Sequence, residues 1–203
     1  IDGAFGALAK LSPKYRHICD GLERADSLAF DLHKWTCMQY EQGVVLVRDP
    51  KAHLESFAYT SSYLDTFRAG LAVNPIEFSS RGIQLSRGFR ALKVWMQLSA
   101  YGADRIGAVI EQNIDDVRYL KSRIQREPRL QLLGPADMNV CCFRYVPAEA
   151  SASRTEEQEQ RLDALNSELL VRLHESGIAV PSNARIDGRL ALRVANVNHR
   201  SRQ

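Results

Sequence analysis

The sequence lacks the features that would assign it to a membrane, secreted or nucleic-acid-binding class. None of its apolar runs reaches the ~20 residues that a membrane-spanning helix needs. No basic stretch followed by an apolar one opens the chain, so no signal peptide is evident. The net charge is only +3, from 27 basic and 24 acidic residues that are not gathered into one run. We therefore expect a cytoplasmic protein with neither a membrane nor a nucleic acid as its partner.

Cysteine is also scarce, and its spacing argues against disulfide and metal roles. The sequence has no C-x-x-C pair among its four cysteines, which are Cys19, Cys37, Cys141 and Cys142. Structural zinc sites use such pairs, and small secreted domains use dense disulfide frameworks. We expect reduced, mostly buried thiols and no metal site.

Strand-like and helical patterns alternate along the first 128 residues. In order, the predicted elements are a helix over 12–24, strands over Ser27–Asp31 and 43–48, a short helix over 52–57, and two long helices over 87–101 and 103–127 that Gly102 separates. Residues 58–84 have weak periodicity and several helix breakers. A loop of this length inside a compact enzyme is usually functional or mobile.

From about residue 129 the pattern indicates a small α/β domain of its own. The predicted elements are strands over 130–133 and 140–146, a charged amphipathic helix over 155–176 that Gly177 ends, and strands over 178–180 and 190–197. This alternation is typical of βαβ units.

A lysine with an imidazole and an indole as neighbours follows the first predicted strand. His33, Lys34 and Trp35 come directly after Ser27–Asp31, and ligands of open α/β sheets bind where strands end. A lysine amine can form a Schiff base with a carbonyl group. On these residues alone, a lysine in a surface loop remains an alternative.

A second candidate site feature is an acidic residue at the start of the chain. Asp2 ends an apolar strand at Ile1-Asp2 and is followed by small residues up to Gly6. Small residues let a flat ring approach the backbone closely. Pyridoxal 5′-phosphate (PLP) needs this combination, because a carboxylate facing its pyridine nitrogen keeps the ring an electron sink while a lysine holds its aldehyde carbon. The alternative for Asp2 is a helix or turn cap.

Several blocks, in order along nearly the whole chain, resemble the group II PLP-dependent amino-acid decarboxylases. The matching residues are 1–6, 24–27, 31–35, 43–48, 87–95 and 192–200. This family includes the aromatic amino acid, histidine, glutamate, cysteine sulfinate and diaminobutyrate decarboxylases.

The resemblance implies an α/β fold, the PLP-dependent transferase fold type I (aspartate aminotransferase-like). Residues 1–101 would form the C-terminal part of the PLP-binding large domain, 102–128 a connecting helix and 129–203 a small C-terminal α/β domain. Because the chain starts at Ile1 inside a strand, we expect a fragment. The upstream half would supply the histidine stacked on the ring and most phosphate-binding groups. The resemblance also implies a homodimer with active sites at the subunit interface. The 58–84 loop would be the mobile lid of the site.

The resemblance also implies roles for four residues of the cofactor site. Lys34 would carry PLP as a Schiff base and be the catalytic residue. Asp2 would be the partner of the pyridine nitrogen, His33 would contact the phosphate or help to place the lysine, and Ala4 would pack on a face of the ring. Outside this set, we interpret Trp35 and the 87–95 helix as structural. Arg90 and Arg193 are either structural ties or anchors for a substrate carboxylate.

The implied activity is PLP-dependent decarboxylation of an L-amino acid, aromatic or other, to an amine and CO₂, although the fragment alone is expected to be inactive. A PLP-dependent aldehyde synthase is an alternative, because Phe78 stands where the aromatic decarboxylases have a proton-donating tyrosine and phenylalanine cannot donate a proton. Tyr59 or Tyr63 would be a replacement donor. A non-catalytic fragment that lacks the upstream half of the site is the third interpretation.

Overall fold

Two separate sheets organise the part of the chain that the computed structural model describes, namely residues 1–58, 69–70, 78–148 and 154–201. The helices in these ranges are α1 (Leu32–Trp35), α2 (Pro50–Phe57), α3 (Arg90–Arg126) and α4 (Glu156–Ser176). The strands are β1 (Ser27–Asp31), β2 (Gly43–Val47), β3 (Leu130–Leu132), β4 (Val140–Tyr145), β5 (Ser182–Ile186) and β6 (Arg189–Ala195). None of the helices in these ranges is long and apolar enough to cross a membrane.

The first sheet is the antiparallel pair β1–β2, with Ser27 opposite Val47 and Asp31 opposite Gly43. Both strands were predicted, and the short turn α1 leads from one towards the other. The start of the chain adds a parallel bridge, in which Asp2 lies opposite Ala29. The sheet therefore brings the first residues of the chain against the strand that precedes Lys34.

The helix predicted over 12–24 is wrong, because the segment forms short 3-10 turns at Arg16–Cys19 and Leu22–Arg24. Ser12 does cap a turn, since its hydroxyl accepts a hydrogen bond from the Tyr15 N–H at 3.1 Å. The same hydroxyl donates to Glu111 of α3 at 2.8 Å. This tertiary anchor outweighs the weak helix preference of so short a segment.

Helix α3 has a break at Gly102, with φ 74° and ψ 160°, so two helices meet there as predicted. Its second half supplies buried apolar residues to the core, namely Ile106, Ile110, Ile114, Val117 and Ile124. Gly107 lets this half approach the 3-10 turn Gly6–Leu11, because a Cβ at Gly107 would lie 2.3 Å from the Leu11 carbonyl oxygen. The first half leaves Trp95 66% and Met96 57% exposed.

The second sheet has four antiparallel strands in the order β3-β4-β6-β5. Strands β4 and β5 run parallel to each other with β6 between them, and α4 connects them, which makes a split βαβ unit. Helix α3 packs on one face through a cluster that includes Val117, Ile124 and Cys141. Helix α4 covers the other face, where Glu159 binds the guanidinium of Arg144.

Of the strands predicted in this domain, 178–180 is wrong, and Ile178 and Val180 are 80% and 77% exposed. Strand β5 lies further along the chain and forms a hairpin with β6. The hairpin turn is Asp187-Gly188, with φ of 49° and 78°. Asp-Gly is the typical two-residue hairpin turn, because both of its positions need positive φ. This signal in the sequence was missed.

The predicted helix over 155–176 is confirmed by α4, whose first turn is closed by a capping box between Thr155 and Gln158. Three of the four cysteines are buried, as expected, and Cys37 is exposed. All four are free thiols. Burial raises the pKa of Cys141 to about 11. Most of the 58–84 loop, including Tyr59 and Tyr63, lies outside the described residues.

One buried ion pair joins α4 to the second sheet. The side chain of Arg144 on β4 has no exposed surface, and its Nη1 donates to Glu159 Oε2 at 2.6 Å. Arg144 Nε donates to the Gln131 side chain at 2.8 Å. The hydrogen bonds from Arg144 hold the pKa of Glu159 below its usual value. The folded state therefore favours the carboxylate form.

We predict that Glu159→Gln destabilises the intact protein by about 1–3 kcal/mol at neutral pH, because the buried guanidinium loses its counter-charge. Since the pKa of Glu159 is lowered on folding, its contribution is present above the unfolded-state pKa and is lost as the pH falls through the folded-state value. Urea unfolding at a series of pH values measures both effects. The control is Glu157→Gln, whose partner Arg161 is 77% exposed, with an expected change under about 0.5 kcal/mol. Equal losses in the two variants would contradict the prediction.

Candidate active site

The first residues of the chain and the end of β1 meet at one edge of the first sheet. The Ala29 N–H donates to the Ile1 carbonyl at 3.0 Å, and the Gly3 N–H donates to the Ala29 carbonyl at 2.7 Å. These two bonds are a parallel register. Asp2 is the residue paired with Ala29, and Lys34 comes three residues after the end of β1. Both therefore lie towards the carboxyl ends of parallel segments, where α/β sheets bind ligands.

Gly3 makes this pairing possible. A Cβ at this position would lie 2.9 Å from Leu28 Cδ1 and 3.2 Å from the Ala29 carbonyl oxygen, and 2.7 Å from the Cβ of Ala7. Contacts under 3.0 Å do not occur without displacement of a neighbour. The glycine therefore permits the close approach of the two backbones.

Lys34 is the central side chain at this edge. It lies on the single turn α1 directly after β1, and its side chain is 34% exposed. Its Nζ lies 2.5 Å from Asp31 Oδ2 and 5.2 Å from the centroid of the Phe5 ring. Phe5 follows Asp2 by three residues, so the ring contact brings the first segment and the lysine together.

Asp31 was not among the predicted site residues. Its spacing of three residues from Lys34 is the signal that predicts such a pair, because residues i and i+3 face each other on a helical turn. The carboxylate holds the lysine amine at the end of β1. The amine thus has a defined position and remains within reach of a small molecule.

His33 precedes Lys34 on this turn. Its Nδ1 accepts a hydrogen bond from the Gln42 N–H at 3.0 Å, and its ring stacks on Tyr40 with 4.3 Å between the centroids. Because Nδ1 accepts, a neutral ring carries its proton on Nε2. That nitrogen lies 4.0 Å from Asp31 Oδ1. Sequence reasoning missed Tyr40 and Gln42, which carry no motif.

Asp2 and Ala4 share a turn. Asp2 Oδ1 accepts a hydrogen bond from the Ala4 N–H at 2.9 Å, so the carboxylate does cap a turn, as one of the two interpretations of the sequence expects. Asp2 is exposed and Ala4 is half-buried. A turn-capping oxygen and a second oxygen directed elsewhere are compatible, because a carboxylate has two acceptor atoms.

The two arginines considered as carboxylate anchors make contacts within the chain. Arg90 binds the carboxylate of Glu41 and donates to the Gln84 side chain at 3.0 Å. Hydrogen bonds from Arg90 lower the pKa of Glu41. Arg193 Nη1 lies 3.3 Å from Ser182 Oγ on the neighbouring strand. These contacts favour the interpretation as structural ties.

Trp35 is fully buried, in keeping with the structural role expected of it. Its indole Nε1 donates to Asn113 Oδ1 on α3 at 3.1 Å. The lysine turn is therefore attached to the core through Trp35.

Comparison with known proteins matches this arrangement to one family. The model of the pyridoxal-dependent decarboxylase conserved domain matches residues 1–146. The aromatic-L-amino-acid decarboxylase of Bacillus atrophaeus is 29% identical over 200 residues, which are 98% of this chain and 40% of the relative. The phenylacetaldehyde synthase of Arabidopsis thaliana is 27% identical, over 96% of this chain and 38% of the relative.

Comparison with solved structures leads to the same family of proteins. The crystal structure of Oryza sativa TDC with PLP and tryptamine superposes with a TM-score of 0.82 and 27% identity, over 96% of this chain and 39% of that one. The fold is therefore the α/β fold type I of PLP-dependent decarboxylases. The chain spans about two fifths of the length of the relatives that it matches. Because the family model covers well over half of its residues, this chain belongs to the pyridoxal-dependent decarboxylase family.

Proposed function

We propose that the intact protein decarboxylates an L-amino acid with PLP and releases an amine and CO₂. The observation that carries this proposal is the position of Lys34, just beyond the carboxyl end of β1 and beside the segment that bears Asp2. Membership of the pyridoxal-dependent decarboxylase family supports the same reaction class. The Bacillus atrophaeus relative, whose name specifies aromatic L-amino acids, supports an aromatic substrate.

The side chains present at the edge suit PLP. An amine with a 34% exposed side chain is available for covalent attachment, and it is already directed by Asp31. The Asp2 carboxylate belongs to the neighbouring segment, and small residues follow it. In the proposed site Lys34 binds the cofactor, Asp2 faces the pyridine nitrogen, His33 contacts the phosphate or supports the lysine, and Ala4 packs on the ring. When bound, PLP supplies an electron sink for the pair left by departing CO₂.

The chain's own residues have separate tasks in this proposal. Asp31 keeps the Lys34 amine at the strand end, where Nζ can return a proton to the former α-carbon of the substrate. His33 is held by Gln42 and Tyr40, so its imidazole is fixed before any ligand arrives. A fixed arrangement lowers the barrier, because the groups lose little freedom in the reaction.

The proposal also covers organisation and location. Residues 1–101 would belong to the large domain, 102–128 to a connecting helix and 129–203 to the small domain, which agrees with the break at Gly102 and with the two separate sheets.

A cytoplasmic homodimer is also part of the proposal. The exposed Trp95 and Met96 on the first half of α3 support a surface that a partner covers. Residues 1–203 alone are expected to bind PLP weakly.

We predict that Lys34→Ala in the intact gene product abolishes decarboxylation, with a fall of at least about a thousandfold. The covalent link to the cofactor is lost, so its visible absorbance should be lost too. A screen of CO₂ release from the common amino acids with added PLP identifies the substrate and measures the loss. Lys51→Ala is the matched control, since that lysine is 84% exposed on α2. Turnover by Lys34→Ala at the parent's rate would reject the role.

We predict that Asp2→Asn retains PLP but lowers kcat by about 100-fold. The asparagine carbonyl can still accept the bond from the Ala4 N–H, so the turn survives while the charge facing the ring nitrogen is removed. Steady-state kinetics with the identified substrate, together with circular dichroism, separates the two effects. Asp20→Asn removes an exposed carboxylate and serves as control. An unchanged kcat in Asp2→Asn would leave the residue only its capping role.

A second candidate function is that of an aldehyde synthase. Phe78 opens the 3-10 turn Phe78–Arg81 and is 62% exposed, and relatives of Arabidopsis thaliana and a Rosa hybrid cultivar are named phenylacetaldehyde synthases. In that reaction an amino acid, O₂ and water yield an aldehyde, CO₂, ammonia and hydrogen peroxide.

We predict that an aldehyde synthase would release peroxide and aldehyde in equal amounts, and that Phe78→Tyr would shift its product towards the amine, because a phenol can donate a proton. Assays of peroxide, aldehyde and amine during turnover measure both the peroxide-to-aldehyde ratio and the shift towards amine. Exposed Phe89, in the segment before α3, provides the control Phe89→Tyr. Amine as the sole product of the parent protein would exclude this second candidate.

A further inference from the structure

The turn that carries Lys34 is too short to fix its own direction. Helix α1 has four residues, and its closing bond runs from the Thr36 N–H to the Leu32 carbonyl at 3.3 Å. An isolated turn is unstable, because forming the first turn fixes several dihedral angles for one hydrogen bond. The direction of the Lys34 side chain therefore depends on how the residues beside it are anchored.

The anchor is Trp35, the next residue in the turn. Its side chain is fully buried in the core cluster with Ile110 and Ile114 of α3. Its only polar atom, Nε1, donates to Asn113 Oδ1 at 3.1 Å. The bond joins residues 78 positions apart and determines the rotation of the indole in its pocket. A rotation of that ring would turn α1 and move the lysine.

Asn113 is itself held from the other side. It is fully buried, and its Nδ2 donates to the Asn198 carbonyl at 3.0 Å, in the segment that follows β6. The Asn196 side chain reaches the Asn113 carbonyl at 3.5 Å and Asp116 Oδ2 at 3.2 Å. The amide orientation of Asn113 is thus set by a donor on one side and an acceptor on the other.

A second contact joins the end of the lysine turn to the segment after β6. The Cys37 thiol donates to the Val197 carbonyl at 3.5 Å. Val197 lies between Asn196 and Asn198, so the same short segment contacts both Cys37 and Asn113, the partner of Trp35. The segment after β6 therefore supports the lysine turn directly at Cys37 and indirectly through Asn113.

We propose that Asn113 is a positioning residue that sets the direction of the Lys34 amine through the Trp35 indole, with the segment Asn196–Asn198 as its support. This inference rests on the function proposed above for Lys34. A primary amide suits the position, because it offers an acceptor to the indole and a donor to the carbonyl. Leucine has a similar volume but offers neither, so it leaves the indole N–H buried without a partner.

The test uses the intact PLP-loaded protein and hydroxylamine, a small amine nucleophile that removes PLP from a lysine and requires no knowledge of the substrate. We expect Asn113→Leu to release PLP about tenfold faster than the parent. We also expect a weaker visible circular-dichroism band, which reports a fixed cofactor orientation. Trp35→Phe, which retains a ring but lacks the N–H donor, should give the same two changes. The double variant should show a release rate and a dichroism close to those of either single variant, because the two single variants and the double variant all lack the same hydrogen bond.

Asn166→Leu is the matched control. Asn166 is also fully buried, and it bonds the Tyr145 backbone between α4 and β4, in the second sheet. It should lower Tm as Asn113→Leu does, but should leave the release rate and the dichroism at the parent's values. A loss of Tm in Asn113→Leu with parental release and dichroism would reduce Asn113 to a structural role and overturn the proposal.

The proposed function fails in a different way. If the parent protein showed no visible absorbance that depends on Lys34, both the function and this inference would fall. If the absorbance is present and depends on Lys34, but the Asn113 and Trp35 variants match the parent, only this inference is overturned. Should Asn113→Leu not fold, Trp35→Phe decides the matter by itself.

Discussion

The parallel register between the start of the chain and β1 is the constraint on which the proposed site depends. Two backbone hydrogen bonds to Ala29 place Asp2 and the exit of β1 at one edge of a sheet. A shift by one residue would turn the Asp2 side chain to the other face, because side chains alternate along a strand. Gly3 protects this register, since its lack of a Cβ allows the close contact with Leu28. The position of the Asp2 carboxylate at this edge is thus set by backbone pairing.

Helix α3 supports several of the segments around that edge. Glu111 and Asp115 lie on one side of it and bind Ser12 and Lys14, the latter at 2.7 Å. Asn113 points to a different, buried side and binds Trp35. The same helix supplies the apolar face on which β4 packs. Glu111 and Asp115 are four residues apart and so share a face of the helix, whereas Asn113, two residues from each, reaches the core from another face. The two sheets share this helix.

The sequence was sufficient for most elements and for the family, and it was insufficient for long-range partners. Strands β1 and β2, the break at Gly102 and helix α4 follow from local patterns that the folded chain preserves. The 12–24 helix failed because Ser12 is bonded to Glu111, which is 99 residues away. Strand 178–180 failed because the Asp187-Gly188 turn decides which residues pair with β6. Lys34, Asp2, His33 and Ala4 were found through motifs, and their roles remain predictions. Asn113 carries no motif, so only the fold reveals its bond to Trp35.

The alternation of β4 separates two thiols that are neighbours in the chain. Cys141 belongs to the cluster under α3, whereas Cys142 packs with Leu133 and Ala191. Adjacent side chains of a strand point to opposite faces, so the two sulphur atoms are divided by the sheet itself. Oxidation of one thiol cannot be resolved by the other while the sheet is intact, and burial raises the pKa of both. Their joint reactivity towards a thiol reagent is therefore a gauge of how often this sheet opens.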